Sequence, residues 1–354
     1  MKIGKVDVAP SFALAPMAGM TDTAFRRLVK RRGGCGLVVT EMVSSEGLVR
    51  GIDRTLEYAE YTEEERPVSI QIFGGDPAKM AAAAQIVEGM GADIVDVNMG
   101  CPVPKIAKHN AGCSLMREPA HAASVIRAMT RAVRIPVTVK MRAGWDANEV
   151  NAPDLARRIE DAGAAAVAVH GRTAAQSYSG VSDWDLIAKV ASGVSIPVFG
   201  SGDCIEPSQM VERMQGGVSG VLVGRGALRN PFIFEQAQAL AAGRPLRAIT
   251  HEERGRFLLE YIELLQNERL HEAQGFRHVA PGMGAGPAPS ERSGSGEPRG
   301  HDKWVINKLR ALNSWYTKGI DNGSHLRVSI NAAQSIPHLR AIIEDFFLAP
   351  VASA

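Results

Sequence analysis

The sequence contains little cysteine, with four residues in a chain of 354. None of the four forms a Cys-x-x-Cys pair, and no cluster of cysteine and histidine has the spacing of a zinc site. These absences argue against a disulfide framework and against a metal site, so we predict neither. Free cysteines at this low density fit a reducing, cytoplasmic setting. The four are Cys35, Cys101, Cys113 and Cys204.

Charge of one sign is not in excess either, because 40 lysine and arginine residues face 38 aspartate and glutamate residues, for a formal net charge of +2. A value so close to zero does not by itself indicate a polyanionic partner, so a nucleic-acid surface would need local clusters of basic residues. No apolar run reaches the ~18 residues of a membrane-spanning helix. The N-terminal stretch "MKIGKVDVAPSFALAPM" is interrupted by prolines and does not read as a signal peptide. We predict no membrane partner and expect a monomer.

Short apolar and β-branched runs recur along the first two-thirds of the chain. Most are nearly continuous in apolar residues, which suits parallel strands buried on both faces. Helical patterns lie between them. One of these, "DPAKMAAAAQIVEGMGA", has Asp76 as a candidate N-cap and Pro77 at its first position. The predicted strands are residues 12–17, 37–42, 68–73, 94–99, 136–141, 166–170, 196–201 and 220–225.

Eight strands alternating with helices over roughly 240 residues match the count and size of a (β/α)8 TIM barrel. A doubly wound open sheet is the alternative, but the first turn, "APMAGMTD", does not match the Gly-x-Gly-x-x-Gly pattern of that fold. Beyond residue 245 the pattern is helical. We therefore predict an α/β protein with a barrel domain at 1–245 and a small helical domain at 246–354. A stretch rich in glycine, proline and serine, at about 279–303, reads as a flexible insert in the second domain.

Polar or reactive residues follow every predicted strand, at the end where TIM barrels carry their active sites. A single polar residue after a strand is ordinary loop chemistry, whereas eight such strand ends converging on one rim predict a functional site. The rim residues are Pro16, Met17, Ala18, Glu41, Gln71, Asn98, Cys101, Lys140, Arg142, His170, Arg172, Ser201, Gly202, Asp203, Gly224 and Arg225.

The loops after the seventh and eighth strands, "GSGD" (200–203) and "GRGALRNP" (224–231), are candidates for a phosphate site. Glycines let backbone N–H groups approach an anion, a helix starting near Ala227 would point its positive end there, and Arg225 adds a charge-assisted contact. The alternative is that the glycines only make tight turns. Because both loops have the same character, we favour phosphate binding.

Other rim residues suggest what carries the phosphate. Gln71 can both donate and accept, so it can recognise the imide edge of a ring. Lys140 offers a positive charge that would stabilise a reduced flavin, and Met17 with Ala18 could pack on a flat ring face. These features suggest FMN. Lys140 could equally be a Schiff-base lysine, as in aldolase-like barrels.

Cys101 lies between a glycine and a proline in "NMGCPVPK" (98–105). A free thiol with a pKa of ~8.5 keeps its proton at neutral pH, which a proton donor requires. A nucleophile would instead need a lowered pKa and a partner such as His109, whose contact the sequence does not assure. The remaining alternative is a small apolar residue filling a turn. We favour the proton donor, interpret Cys35 and Cys204 as structural, and leave Cys113 open.

A series of motifs, running in order from about residue 9 to 235, carries a resemblance to a known family. They are "APMAGMTDTAFRRL", "VSIQIFGGDP", "DVNMGCPVPKIAKHNAG", "VTVKMRAGW", "VAVHGRT", "IPVFGSGDC" and "GVLVGRGALRNPFIF". With the later "KLRALNSWYTKGI" (308–320), they resemble the bacterial tRNA-dihydrouridine synthases. The resemblance implies an FMN-dependent barrel that reduces the C5=C6 bond of particular uridines in tRNA.

In that family NADPH reduces the flavin, hydride passes from flavin N5 to uridine C6, and the motif cysteine, here Cys101, protonates C5. NADH remains an alternative reductant. The family usually has asparagine where this chain has Ser201, which would shorten or remove a side-chain amide contact. The resemblance places the flavin contacts at Pro16, Met17, Ala18, Gln71, Lys140, His170, Ser201, Gly202, Asp203, Gly224 and Arg225. We assign substrate contacts to Asn98, Arg142, Arg172, Lys105 and Lys108.

Chemistry on a base of folded tRNA requires extruding the base and gripping the backbone electrostatically. Basic candidates are "KIAKHN" (105–110) and four residues of the tail, whereas "RRLVKRR" (26–32) reads slightly better as a solvated outer helix face. The tail residues are Lys308, Arg310, Lys318 and Arg327.

Two other hypotheses compete with a tRNA uridine reductase: a flavin barrel acting on a free pyrimidine, and an RNA-binding barrel without turnover. The helical tail argues against the first of these, and intact Cys101 and Lys140 argue against the second.

Overall fold

The computed structural model describes residues 1–107, 110–267 and 300–349. Within these residues, a two-stranded antiparallel hairpin precedes one nine-stranded sheet whose pairings are all parallel. The strands are β1 (Lys2–Ile3), β2 (Val6–Asp7), β3 (Phe12–Leu14), β4 (Leu37–Val39), β5 (Val43–Ser44), β6 (Val68–Phe73), β7 (Ile94–Met99), β8 (Val137–Arg142), β9 (Ala166–His170), β10 (Val198–Ser201) and β11 (Gly220–Val223).

Eight of the parallel strands close into a barrel. The last, β11, pairs with β3, and β4 pairs with both β3 and β6, so no open edge separates the first strands from the last. The predicted TIM barrel is confirmed, all eight predicted strands are present, and the open-sheet alternative is wrong. The short β5, which extends the pairing of β6, was not predicted.

Helices alternate with the barrel strands. In the helix at Pro77–Gly89, the Asp76 carboxylate accepts from the N–H groups of Ala78 and Lys79, which confirms the predicted cap. The described residues also include 3₁₀ turns at Glu63–Glu65 and Gly112–Arg117. Their α-helices are α1 (Thr23–Arg32), α2 (Ser45–Val49), α3 (Asp53–Glu57), α4 (Pro77–Gly89), α5 (Pro104–Ala107), α6 (Pro119–Ala132), α7 (Ala152–Asp161), α8 (Trp184–Ser192), α9 (Pro207–Met214), α10 (Arg225–Arg229), α11 (Ile233–Ala241), α12 (His251–Asn267), α13 (His301–Tyr316), α14 (Gly323–Ala332) and α15 (Ile336–Phe347).

All six residues of β7, "IVDVNM", are buried, because helices cover the outside of the barrel and side chains fill its inside. Val95, Val97 and Met99 belong to the hydrophobic core between strands and helices. The alternate residues, Asp96 and Asn98, must therefore face the barrel interior, since side chains of a strand alternate between its two faces. By the same alternation, Gln71 of β6 and Lys140 of β8 also face the barrel interior.

The C-terminal helices pack against the barrel through an aromatic core. The Phe257 ring lies edge-on to Phe25 at 6.1 Å and stacks on Tyr316 at 5.8 Å between centroids. Tyr261 donates a hydrogen bond of 2.8 Å to Asp22, across the same contact. Tyr316 is fully buried and belongs to this core. Burial of large rings on this scale stabilises the attachment of the helical segment to the barrel.

The predicted domain boundary at 245/246 falls between α11 and α12, and the division into two domains stays a prediction. Residues 279–299 of the predicted insert, together with Lys108 and His109, lie outside the described residues. The last part of that stretch, from His301, is the first turn of α13 rather than a loop. No helix in the described parts of the chain is both long enough and apolar enough to cross a membrane.

Candidate active site at the carboxyl end of the barrel

A cleft opens where β3, β8, β9, β10 and β11 end, and we call it the strand-end cleft. It encloses about 610 Å³ of space free of protein atoms, including the part open to solvent. Nine of the eleven residues predicted to contact a cofactor line it, while Ala18 is exposed outside it and Gln71 is buried beneath it. The nine are Pro16, Met17, Lys140, His170, Ser201, Gly202, Asp203, Gly224 and Arg225.

The two glycine loops meet at one side of the cleft, and packing alone explains part of their composition. Gly202 has φ +120°, and a Cβ there would lie 2.3 Å from the Ser182 hydroxyl. A Cβ at Gly226 would lie 2.2 Å from the Cys204 carbonyl oxygen. The helix predicted to start near Ala227 is present, begins at Arg225 and has only five residues. Its dipole is correspondingly a minor contribution, so any anion would depend on backbone N–H groups and Arg225.

Asp203 is engaged by protein groups rather than directed at the open space. Its carboxylate accepts from the Ser182 N–H at 2.7 Å and pairs with Arg172 at 2.8 Å. Arg172 is 3% exposed and also donates to the carbonyl oxygens of Ser179 and Gly180. The Asp203 side chain therefore holds Arg172 in place, and the predicted cofactor contact of Asp203 is left to its backbone.

Positive charge is concentrated around His170. Burial, reinforced by Lys140, Arg142, Arg172 and Arg225, lowers the pKa of His170 to about 2, so its imidazole is neutral at physiological pH. Burial, with Arg142 acting in the same direction, lowers the pKa of Lys140 to about 8. The Lys140 ammonium group makes no hydrogen bond to the residues that the structure describes. The four cations outnumber the two nearby carboxylates, Asp203 and Asp96, and this excess of positive charge favours a negatively charged ligand.

Arg142 is held by backbone carbonyl groups. Its Nε donates to the Gly100 oxygen at 2.8 Å, and its Nη1 donates to the oxygens of Thr173 and Ser177 at 2.9 and 3.0 Å. Burial lowers the pKa of this guanidinium. Arg142 thus ties the loop before Cys101 to the loop after β9, a role that the sequence did not reveal.

A buried hydrogen-bonded chain connects three strands below the rim. Asn98 Nδ2 donates to Gln71 Oε1 at 2.8 Å, and Gln71 Nε2 donates to Asp96 at 2.7 Å. Thr138 donates to the other oxygen of Asp96 at 2.6 Å. Asp96 was missed in the sequence, where it reads as one charged residue inside an apolar strand.

Cys101 follows β7 directly and is partly exposed, unlike the other three cysteines, which are buried. Its N–H donates to Asn98 Oδ1 at 2.9 Å, and its carbonyl oxygen accepts from the Cys113 N–H at 3.1 Å. Gly112, at φ +61°, permits this approach, because a Cβ there would lie 2.7 Å from the Cys101 oxygen. The cysteine backbone is therefore fixed from both sides, which argues against a simple apolar filler of a turn.

Comparison with known proteins identifies the family. The family described as dihydrouridine synthase (Dus) matches residues 13–285. The chain belongs to the dihydrouridine synthase family. The resemblance inferred from the sequence motifs is confirmed.

The curated relatives of this dihydrouridine synthase family member extend the match to almost the full chain. The tRNA-dihydrouridine synthase B of Xanthomonas campestris is 35% identical over 358 residues, covering 99% of this chain and 97% of that protein. A probable tRNA-dihydrouridine synthase of Rhodobacter capsulatus is 45% identical over 238 residues, covering 66% and 73%. Among solved structures, morphinone reductase aligns with a TM-score of 0.50 at 12% identity, covering 70% of this chain and 90% of that one, which shows the barrel fold alone.

The remaining cysteines of this dihydrouridine synthase family member have structural surroundings. Cys35 and Cys204 are buried, as expected for structural residues, and burial raises the pKa of Cys35 to about 11 and that of Cys204 to about 12. Cys113, left open in the sequence, is fully buried, and burial raises its pKa to about 11. The described residues contain no group of three His, Cys, Asp or Glu side chains placed to hold a metal ion.

The basic candidates for RNA contact divide into paired and available groups. Lys308 lies 2.9 Å from Asp22 and 3.6 Å from Glu41, so its charge is used between helix and barrel. Lys105 is exposed on α5, beside the Cys101 loop. Lys318 lies 4.0 Å from the ring of Trp315. Lys105 and Lys318 thus remain candidates, and Lys308 does not.

The interpretation of "RRLVKRR" as a solvated face is wrong for its first arginine. Arg26 is 1% exposed, and its Nε lies 2.6 Å from the buried carboxylate of Glu65. Arg27 and Arg31 pair with Glu64. The basic run therefore fastens α1 to the segment before β6, which leaves little of its charge for RNA.

Proposed function

We propose that this protein is an FMN-dependent tRNA-dihydrouridine synthase, which reduces the C5=C6 bond of particular uridines in tRNA with NADPH, or NADH, as the reductant. The observation that carries the proposal is the position of Cys101. Asn98 holds the Cys101 N–H, and Asn98 is the cross-strand neighbour of Lys140, which lines the strand-end cleft. Membership of the dihydrouridine synthase family and the names of the curated relatives support the substrate. We also propose a cytoplasmic monomer.

The residues of the cleft fit a flavin mononucleotide. The Lys140 ammonium group makes no hydrogen bond in the described chain and would place its charge where negative charge gathers on a reduced flavin. Arg225 and the N–H groups of the two glycine loops would hold the phosphate. Met17 would pack against the ring system, while Gln71 would approach its edge from below.

Bound FMN would supply the hydride that is added to uridine C6. The chain itself would supply the proton at C5, for which Cys101 is the partly exposed thiol at the rim. Hydride and proton together complete the addition of two hydrogens across the double bond. The neutral imidazole of His170 neither adds to the positive charge nor loses a proton near pH 7, so it would act as a hydrogen-bonding group.

Substrate contacts are proposed for Asn98, Arg142, Arg172 and Lys105, and the structure gives them unequal freedom. The Nη2 group of Arg142 makes no hydrogen bond to described residues, so it can reach a base or phosphate while Nε and Nη1 stay fixed. Arg172 spends most of its donors on Asp203 and two carbonyl groups. Lys105 is free to contact the RNA backbone. Lys108 is proposed with it, from the sequence alone.

The test is reoxidation of the reduced protein. Protein purified from a flavin-sufficient host is reduced with NADPH without oxygen, then mixed with tRNA transcript that contains no dihydrouridine or with free uridine. We expect flavin absorbance to recover with the transcript and to stay bleached with free uridine. Recovery with free uridine alone would favour a barrel acting on a small pyrimidine. Absence of flavin, or no recovery with transcript, would contradict the proposal.

A further inference from the structure

Asp96 is a buried carboxylate that the proposed reaction does not use directly. It lies two residues before Asn98 on β7, is 6% exposed, and faces the barrel interior. Its two oxygens accept from Gln71 Nε2 at 2.7 Å and from Thr138 at 2.6 Å. A buried carboxylate is costly unless it has such partners, so its position calls for an explanation beyond packing.

The direction of the hydrogen bonds above Asp96 is set by the backbone. The N–H groups of Gly100 and Cys101 both donate to Asn98 Oδ1, at 3.1 and 2.9 Å. This fixes the Asn98 amide, whose Nδ2 must then donate to Gln71 Oε1. Gln71 is in turn obliged to point Nε2 away from Asn98. A carboxylate accepts only, so Asp96 is the matching end of a chain whose polarity is the same at every link.

We propose that Asp96 is a positioning residue for uridine reduction: its carboxylate orients the Gln71 amide and, through Asn98, holds the loop that carries Cys101. This inference rests on the proposed function, because it assigns Gln71 and Cys101 to the reaction. The chain reaches from the barrel interior to the rim over Asp96, Gln71, Asn98 and Cys101. Loss of its lower end would leave the Gln71 amide held by Asn98 alone, with one hydrogen bond in place of two, and so weaken the anchor of the loop.

The Asp96 carboxylate also interacts with the site through its charge, which acts on Lys140. Burial raises the pKa of Asp96, while the hydrogen bonds from Gln71 and Thr138 and the charge of Lys140 oppose the rise. Lys140 experiences the reverse, because Asp96 raises the pKa that burial and Arg142 lower. Asp96 and Lys140 therefore support each other's charged forms. The carboxylate thus matches both the amide chain and the cation beside it.

Two variants separate hydrogen-bond geometry from charge. Asp96→Asn keeps the shape of the side chain, can present Oδ1 to Gln71 Nε2, and can donate Nδ2 to the Thr138 oxygen. Asp96→Ala removes the acceptor. Asp96→Leu removes it without opening a cavity, and replaces Asp96→Ala should the latter not fold. Thr138→Val is the matched control, since it removes one hydrogen bond to Asp96 but leaves the chain above it intact.

The first measurement is amide hydrogen exchange in the flavin-loaded protein, which does not depend on turnover. We expect Asp96→Ala or Asp96→Leu to speed exchange in peptides covering Gly100 and Cys101 by at least about tenfold, with peptides of α7 unchanged. Asp96→Asn and Thr138→Val should stay within about threefold of the parent. Unchanged exchange in the loop of a folded Asp96→Leu protein would overturn the inference, and so would Asp96→Asn loosening the loop as much as Asp96→Leu.

The second measurement separates this inference from the proposed function. In single-turnover reduction of tRNA, Asp96→Leu should lower the rate constant by at least about tenfold and leave the tRNA concentration that gives half the maximal rate within about threefold of the parent value. Asp96→Asn should restore most of the rate. If the parent protein does not reduce tRNA, the proposed function fails while the exchange result still stands. If the parent is active and Asp96→Leu is equally fast, the positioning role is wrong.

Discussion

Asn98 and Lys140 are cross-strand neighbours at the carboxyl ends of β7 and β8. Asn98 holds the loop that carries Cys101, and Lys140 lines the strand-end cleft. Strand register thereby places the residue that anchors the Cys101 loop next to the cation in the cleft. Because register in a closed barrel cannot slip without moving every side chain, the relation between the two groups is a property of the fold.

Replacing Cys101 should stop the reaction after the flavin has been reduced. Cys101→Ala is expected to bind FMN and oxidise NADPH as the parent does, and to lose about 10²–10⁴-fold in the rate of tRNA reduction, the usual contribution of a general acid. Stopped-flow absorbance of the flavin measures both steps. Cys113→Ala, which alters a buried cysteine in the same segment, is the control and should keep its rate. A Cys101→Ala protein that reduces tRNA at the parent rate would exclude the proton-donor role.

FMN binding to the flavin-free protein should weaken as the pH rises through about 8. Lys140 has its pKa lowered to about 8, so its positive charge is present below that pH and is lost above it. Lys140→Arg should abolish this alkaline loss, because arginine keeps its charge. Asp96→Asn should move the loss to lower pH, since Asp96 raises the pKa of Lys140. Quenching of flavin fluorescence gives the dissociation constants, and a parent profile that is flat from pH 7 to 9.5 would contradict the assignment.

His170 should remain neutral from pH 5 to 8. Burial and four surrounding cations lower its pKa to about 2, far below the value near 6.5 of a free histidine. Nitrogen NMR of the protein labelled at histidine measures the protonation state directly, and His170→Gln identifies the resonance. We expect no titration of that resonance across the range. A midpoint between pH 6 and 7 would show that the positive field in the cleft is much weaker than the geometry implies.

The ion pair of Arg26 with Glu65 should be important for stability. Arg26→Ala leaves the carboxylate of Glu65 buried and unpaired, which we expect to lower the free energy of unfolding by about 3–5 kcal/mol. Arg27 lies on the same helix as Arg26 and makes a more exposed pair with Glu64. Arg27→Ala should therefore cost less than about 1 kcal/mol. Urea denaturation monitored by circular dichroism compares the two. Equal losses in both variants would show that burial does not decide the difference.

The barrel was predictable because its signals are local. Runs such as "IVDVNM" and "VTVKMR" report a strand buried on both faces within a few residues, and the Asp76–Pro77 pair marks a helix start from two adjacent residues. Once the strands form a barrel, the polar residues that follow them must lie together at its carboxyl end. The nine predicted cofactor residues that line the strand-end cleft were brought together in this way.

The pairing of distant side chains was not predictable in the same way. Arg26 was interpreted as a solvated residue because its partner, Glu65, lies 39 residues away, and Lys308 was considered for RNA because its partners lie on the barrel. Asp96 was missed since its function depends on amides of two other residues. Such contacts depend on which strands become neighbours and in which register, and periodicity does not contain that information.

The central claim is that this chain adds hydrogen to uridine within tRNA. The most direct test incubates the flavin-loaded protein and NADPH with unmodified tRNA transcripts, then digests the RNA and identifies its nucleosides by mass spectrometry. We predict a nucleoside heavier than uridine by two hydrogens, formed with the parent protein and nearly absent with Cys101→Ala. Fully active flavin reduction by NADPH with no such nucleoside in any transcript would contradict the account.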